Sequence, residues 1–311
     1  HVTRIYLDHA ATTPMLPQAI AAVEQGMRNW ANPSSPHAEG RAARAALEDA
    51  RARIKAALGW DGELIFTSGA SEALAIGLGR AKADRRIVSA VEHDAVYRAA
   101  PDAEVVPIGS KAEIDRDALE NALMAGRAVV AIQHLNSETG IFQPIDALAS
   151  QIRESGSILL SDCSQSAGKY ALPDADLIVV SAHKFGGPPG IGALLVRDFG
   201  MLAASGGQEF GYRGGTENLP GALGFAAAVE VPTFYEQFTL DGRREPIGRM
   251  ANWLTVEHGM AYSLLDIEYP IQSAGGIFQP PGGMHCLHIQ AITMPGVSAA
   301  AQLIRFDAAG I

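Results

Sequence analysis

The chain has 311 residues, 48% hydrophobic and 19% charged, so it can bury a large core in one big domain or two and does not have the composition of a disordered chain. Lysine and arginine number 24 against 34 aspartates and glutamates, a net charge of −10, which argues against nucleic acid or an anionic membrane as partner, because phosphate contacts need clustered cations. No apolar run is long enough to span a bilayer, no secretory signal precedes the first strand, and two cysteines cannot build a disulfide framework, so a soluble protein of a reducing compartment, the cytoplasm, is expected.

Helix-like and strand-like runs then alternate. Helices are expected from Met15 (MLPQAIAAVEQGMRNW) and from Gly40 (GRAARAALEDARARIKAALG). The strand ELIFTSG from Glu63 leads into a helix that opens Ser71-Glu72. A strand ending at His93 and another from Ala128 (AVVAIQHLN) follow, then a helix from Asp146 (DALASQIRESG). Strands from Ser157 (SILLSD), Asp176 (DLIVVSAHK) and Ile191 (IGALLVR) complete the pattern. Near-continuous Ile/Val/Leu runs mark strands buried on both faces, and their alternation with helices marks an α/β fold with a mostly parallel sheet. After about Phe225 the pattern weakens. Pro232 and Pro246 stand against a long helix in VPTFYEQFTLDGRREPIGR, and QPPGGMHCLHIQAI reads as a loop feeding a strand. We therefore expect a large domain over 15–225 and a smaller α+β domain from 1–14 and 226–311. No role is assigned to residues 229–249. The sequence runs from His1 to Ile311, where an amphipathic helix heads into a strand, and the small domain reads as incomplete there.

In an open α/β sheet ligands bind beyond the carboxyl ends of the strands. Each strand here ends in polar residues: Thr67 and Ser68, His93, Asn136 and Ser137, Asp162 with Gln165 beyond it, and Ser181, His183 and Lys184. A Gly before a helix that starts Ser-Glu offers free N–H groups and a positive dipole end to a phosphate. A lysine at a buried strand end is driven toward its amine form, which attacks aldehydes. A neighbouring Asp can pair with a protonated pyridine nitrogen, and a His ring can stack on another ring. Each residue alone has an ordinary explanation: Ser71 as a helix cap, His93 as a structural histidine, Asp162 as a turn cap, Lys184 as a solvated strand-end lysine. Their convergence in this order describes a site for pyridoxal 5'-phosphate (PLP).

On these residues the chain resembles the cysteine desulfurases of the class V aminotransferase group. The matching stretches are YLDHAATTP from Tyr6, NPSSPHAEGR from Asn32, IFTSGASEA from Ile65, EHDAV from Glu92, NSETGIFQPI from Asn136, SDCSQSAGK from Ser161, SAHKFGGPPGIGALLVR from Ser181 and GYRGGTENLPG from Gly211. The resemblance implies the PLP-dependent transferase fold of type I, and conversion of L-cysteine to L-alanine with sulfur passed through a persulfide to an acceptor protein, as in iron–sulfur cluster assembly. It implies that Lys184 carries the cofactor and moves the substrate α-proton, that Asp162 holds the pyridine nitrogen, that Gln165 donates to the ring hydroxyl oxygen and that His93 stacks on the ring and takes part in catalysis. Ala70, Ser71, Ser181 and His183 are implied to bind the phosphate, with Thr216 reaching the partner's site in a homodimer. Asn32, His37 and Arg213 are implied near the substrate entrance.

Three departures stand out. Ser137 replaces the family's Asn beside the ring hydroxyl, and Ser71 its Thr. The loop with the nucleophilic cysteine and the arginine for the substrate carboxylate would follow Ile311. Neither Cys163 nor Cys286 matches the nucleophile's position, and HCLH around Cys286 has no second ligand pair, so no metal site is expected. Selenocysteine lysis, transamination and a non-catalytic PLP-binding subunit are the alternatives on the same scaffold. A simple NAD-binding domain ranks low, because no G-x-G-x-x-G follows the first strand.

Overall fold

The computed structural model describes residue 6 and residues 8–231, together with the short pieces Gln237–Phe238, Arg244–Glu245, Ile277–Phe278 and Ile292–Thr293 and the single residues Met284, Cys286 and Ile289. Most of the expected small domain thus lies outside the described residues.

Seven strands form one sheet: β1 (Glu63–Thr67), β2 (Arg85–Ser89), β3 (Glu104–Val106), β4 (Ala128–Ala131), β5 (Ile158–Asp162), β6 (Leu177–Ser181) and β7 (Gly192–Val196), in the order β1-β7-β6-β5-β4-β2-β3. Four ladders are parallel, and the two that β7 makes, with β1 and β6, are antiparallel. The reversal follows from chain length: only ten residues separate Ser181 from Gly192, fewer than a helical crossover needs. Because β1 and β6 both oppose β7, they point the same way. The carboxyl ends of β1, β2, β4, β5 and β6 therefore meet at one rim, joined there by the start of β7.

Helices cover both faces. On one side lie α3 (Ala70–Arg80) and α4 (Asp94–Ala99); on the other lie α1 (Pro17–Arg28), α2 (Ala38–Leu58), α5 (Arg116–Leu123), α6 (Ile145–Glu154) and α7 (Leu219–Val229). Every residue of β4 to β7 is buried, which is why these strands read as unbroken apolar runs. In α2 the stripe Ala43, Leu47, Ala50, Ile54, Leu58 recurs at helical spacing. His37 caps its start, and Gly59, at φ +66°, ends it in the left-handed conformation that glycine adopts without strain. α1 and α7 cross closely: a Cβ on Gly26 would come within 2.8 Å of Pro220 Cα, and one on Gly224 within 2.6 Å of Val23.

The expected fold class holds. The sequence reading leaves α4, β3, α5 and α7 unmarked, and α7 runs on to Val229, past the boundary drawn at 225. Two short antiparallel pairs, Gln237–Phe238 with Arg244–Glu245 and Ile277–Phe278 with Ile292–Thr293, are all that is described of strands beyond it.

Candidate active site

Lys184 ends a 3-10 turn, Ala182–Lys184, directly after β6. A segment from the start of the chain straps this turn. Thr13 N–H donates to His183 O (2.9 Å), Thr13 Oγ1 donates to Lys184 O (2.9 Å), and Thr12 Oγ1 lies 3.1 Å from His183 Nδ1. The amine itself donates to Ala10 O (2.5 Å) and Ala11 O (2.9 Å). Burial lowers its pKa, opposed by Asp162 and Asp8, which moves it toward the free amine.

Gln165 shares that anchor, its Nε2 donating to Ala10 O at 2.8 Å. The Oε1 of Gln165 and the hydroxyl of Ser164 are buried without a hydrogen-bond partner among the described residues. Asp162 ends β5, nearly enclosed, with Oδ1 accepting from Ser164 N. The structure thus brings Lys184 and Gln165 onto one carbonyl, with Asp162 near enough to act on the amine electrostatically.

The residues expected to bind the phosphate lie along the same rim. Thr67 pairs with Gly192, which pairs with Ser181. Gly69 precedes α3 at φ +149° and caps it with no side chain, leaving the N–H groups of Ala70 and Ser71 at a positive dipole end. A Cβ on Gly192 would meet Gly69 Cα at 2.8 Å and Val180 O at 2.5 Å, so glycine there lets the helix start sit against the sheet. His183 is half-buried, and burial, then Lys184 and Lys169, lowers its pKa.

His93 caps α4, its Nδ1 accepting from Ala95 N–H at 3.1 Å. In the neutral ring this puts the proton on Nε2. Ser137 follows Asn136, whose Nδ2 donates to Val91 O (3.3 Å) and whose Oδ1 holds the next turn through Glu138 and Thr139. Among the described residues no hydrogen bond links Asn32, His37, Arg213 or Thr216 to the lysine cluster. Asn32 accepts from Ser34 N, His37 caps α2 and pairs with Glu39, Arg213 pairs with Glu72 at 3.0 Å, and Thr216 is exposed.

Both cysteines are buried. Burial, and more weakly Asp162, pushes the Cys163 thiol up to about 12, so it is no nucleophile near neutral pH. Native protein is expected to show no alkylation at Cys163 by iodoacetamide until it unfolds; rapid labelling of this residue in the folded state would contradict its burial. Cys286 packs with Leu135, Phe142 and Ile289, and its N–H donates to Gly140 O at 2.8 Å. His285 and His288 lie outside the described residues, and among those described no cluster could hold a metal ion.

The sequence reading misses three contributors. The carbonyls of Ala10 and Ala11 are main chain, so no side-chain motif announces them. Ser164 is hidden between Asp162 and Gln165. Glu92 is a buried acid beside His93, detectable only as a charge placed directly after an apolar strand.

The architecture is that of the type I PLP-dependent transferases. A phosphorylated pyridine aldehyde fits the residues present: an amine of lowered pKa, a carboxylate one strand away, the unsatisfied polar atoms of Ser164 and Gln165 and an open helix start. The aminotransferase class-V family profile matches residues 5–241. The chain belongs to this family, whose cofactor is PLP. A cysteine desulfurase of Cereibacter sphaeroides is 36% identical over 251 aligned residues, covering 73% of this chain and 65% of the relative; the chain thus spans just under two thirds of that protein. A NifS-like protein from Rickettsia africae superposes with a TM-score of 0.80 at 26% identity, over 99% of this chain and 86% of the other. SspA, solved in complex with cysteine, gives 0.75 at 27%, over 99% and 87%.

Proposed function

We propose that this protein is a cysteine desulfurase, releasing L-alanine from L-cysteine and passing the sulfur as a persulfide to an acceptor protein. The observation that carries the reading is the Lys184 amine held beside Gln165 and within electrostatic reach of Asp162. The relatives' names supply the substrate. Bound PLP would supply an electron sink for the pair released at the substrate α-carbon.

Lys184, as a free amine, takes the α-proton and returns it to the product. Asp162 would hold the pyridine nitrogen. Gln165 has a second N–H that would donate to the ring hydroxyl oxygen, and His93 would stack on the ring. The N–H groups of Ala70 and Ser71, with Ser181 and His183, receive the phosphate, joined by Thr216 from a second copy in a homodimer. Ser137 is shorter than the amide it replaces, so its contact with the ring hydroxyl would be either lost or bridged by water. Asn32, His37 and Arg213 border the substrate entrance. The thiolate that attacks the substrate sulfur is neither Cys163 nor Cys286, since both are buried. Residues 1–14 and 226–311 belong to a smaller domain, and the protein works in the cytoplasm.

The test is product analysis with PLP, a reductant and a small panel of amino acids. Alanine formed from L-cysteine in step with sulfide is the expected result. A keto acid in place of alanine would identify a transaminase, and turnover of selenocysteine alone a lyase for that substrate; either replaces the reading.

A further inference from the structure

Glu92 lies between the end of β2 and His93, and its side chain is enclosed. Its Oε1 accepts from Ser89 Oγ at 2.5 Å and from the Gln133 main-chain N–H at 2.8 Å. Its Oε2 is buried with no hydrogen-bond partner among the described residues. Among the described residues no cation pairs with it. The titratable groups facing it are Asp162, at the end of β5, and Tyr97, on α4. An ionised carboxylate so placed would be half-solvated beside a like charge, an arrangement that buried carboxyl pairs avoid by keeping one proton.

We propose that Glu92 is a positioning residue of the cofactor site that works as a neutral carboxylic acid beside Asp162. The inference rests on the placement of the cofactor over Asp162 given above. Oε1 already accepts two hydrogen bonds, so the proton sits on Oε2. The Ser89 and Gln133 contacts tie the exit of β2 to the exit of β4. Gln133 Nε2 and Asn136 Nδ2 both hold Val91 O, at 2.5 and 3.3 Å. The turn that presents His93 is therefore fixed from both sides, and neutral Glu92 is its central strut.

Burial raises the Glu92 pKa from 4.5 to about 8, the Ser89 and Gln133 contacts oppose the rise, and Asp162 adds to it. The sign for stability follows. A folded-state value above the unfolded one means a contribution present below the unfolded value and lost progressively as pH rises to the folded value. Above about 8 the carboxylate is charged, draws water in and loosens the turn.

The experiment compares wild type, Glu92→Gln and Glu92→Ala between about pH 5 and about pH 9. It reads the thermal midpoint of the chain without cofactor and the dissociation constant for PLP. Glutamine keeps the acceptor and places N–H donors where the acid has O–H. The midpoint of Glu92→Gln is expected to gain on wild type from about pH 5 to about pH 8 and then to run level with it. Wild-type PLP affinity is expected to weaken relative to Glu92→Gln as pH passes about 8. At neutral pH Glu92→Ala is expected to weaken PLP binding roughly tenfold while Glu92→Gln stays close to wild type. A midpoint difference that does not change with pH, or a Gln variant that binds PLP as poorly as the Ala variant, overturns the proposal. Failure of wild type itself to bind PLP would instead overturn the cofactor placement, while the midpoint curves would still decide the charge state of Glu92.

Discussion

Arg51→Ala is expected to destabilise the protein by about 3–5 kcal/mol, the usual result of breaking a buried ion pair from one side. Arg51 is 4% exposed and Glu209 is 1% exposed. The guanidinium donates to Glu209 Oε2 (2.8 Å) and Oε1 (3.2 Å) and to Leu64 O (2.5 Å), and Nε reaches Glu48 at 2.9 Å. It lies between the rings of Phe66 and Phe210, 4.7 and 4.8 Å from their centroids. Glu209 also accepts the Phe66 N–H at 2.8 Å. Leu64 and Phe66 belong to β1, an edge strand, so the pair covers an edge that would otherwise offer free backbone groups to another chain. It also holds Glu209 and Phe210 at φ +47° and +58°, a left-handed pair costing about 1–2 kcal/mol per residue. Removing the arginine leaves a buried carboxylate with one donor and releases the loop that carries Arg213 and Thr216. A fall in thermal midpoint of about 10 °C is expected. Arg51→Lys should recover only part of it, because one ammonium cannot make the two-pronged contact and the stacking together. A midpoint unchanged by Arg51→Ala would show that the pair contributes nothing net.

Lys184→Ala is expected to reduce alanine formation from cysteine by about a thousandfold or more, because the variant loses both the amine that anchors the cofactor and the base that moves the α-proton. Stability should behave differently. Among the described residues the amine donates to the carbonyls of Ala10 and Ala11, and burial, the largest influence on it, disfavours its charged form. A depressed lysine value means the charged side chain weakens the fold at neutral pH, so the variant's thermal midpoint should equal or exceed that of wild type. Activity lost with the fold intact assigns the lysine to chemistry. A midpoint lowered by many degrees would assign it to structure instead.

The strand ends were legible because strands covered on both faces leave no apolar ambiguity, and each apolar run gives way to polar residues at its end. That rule alone leads to Asp162, Ser181 and Lys184. It fails at α7, where LPGALGFAAAV is buried nearly all round and shows no polar face for a helical period to reveal. It fails at α4, which is only six residues long, and at β3, which has three. At α5 the signal was present: Asp115 caps it and Leu119, Ala122 and Leu123 form its buried stripe. Within the site, side-chain chemistry could be read from letters, but main-chain acceptors could not. Nor could sequence reveal that Glu92 is pushed up to about 8. That shift comes from how completely the fold buries its side chain, against the opposing Ser89 and Gln133 hydrogen bonds.

The strap that grips the lysine turn joins residues 171 to 174 positions apart. Closing so wide a loop is entropically expensive and belongs to the slow, non-local part of chain assembly. Residues 10–13 leave the ribosome early, yet their partners at 183 and 184 are made long afterwards, once β5 and β6 have been synthesised. The reactive amine is therefore placed only after most of the sheet exists. Capture of the cofactor aldehyde can then serve as a report of completed folding, since half-built chains carry the carbonyls but not yet the lysine that they aim.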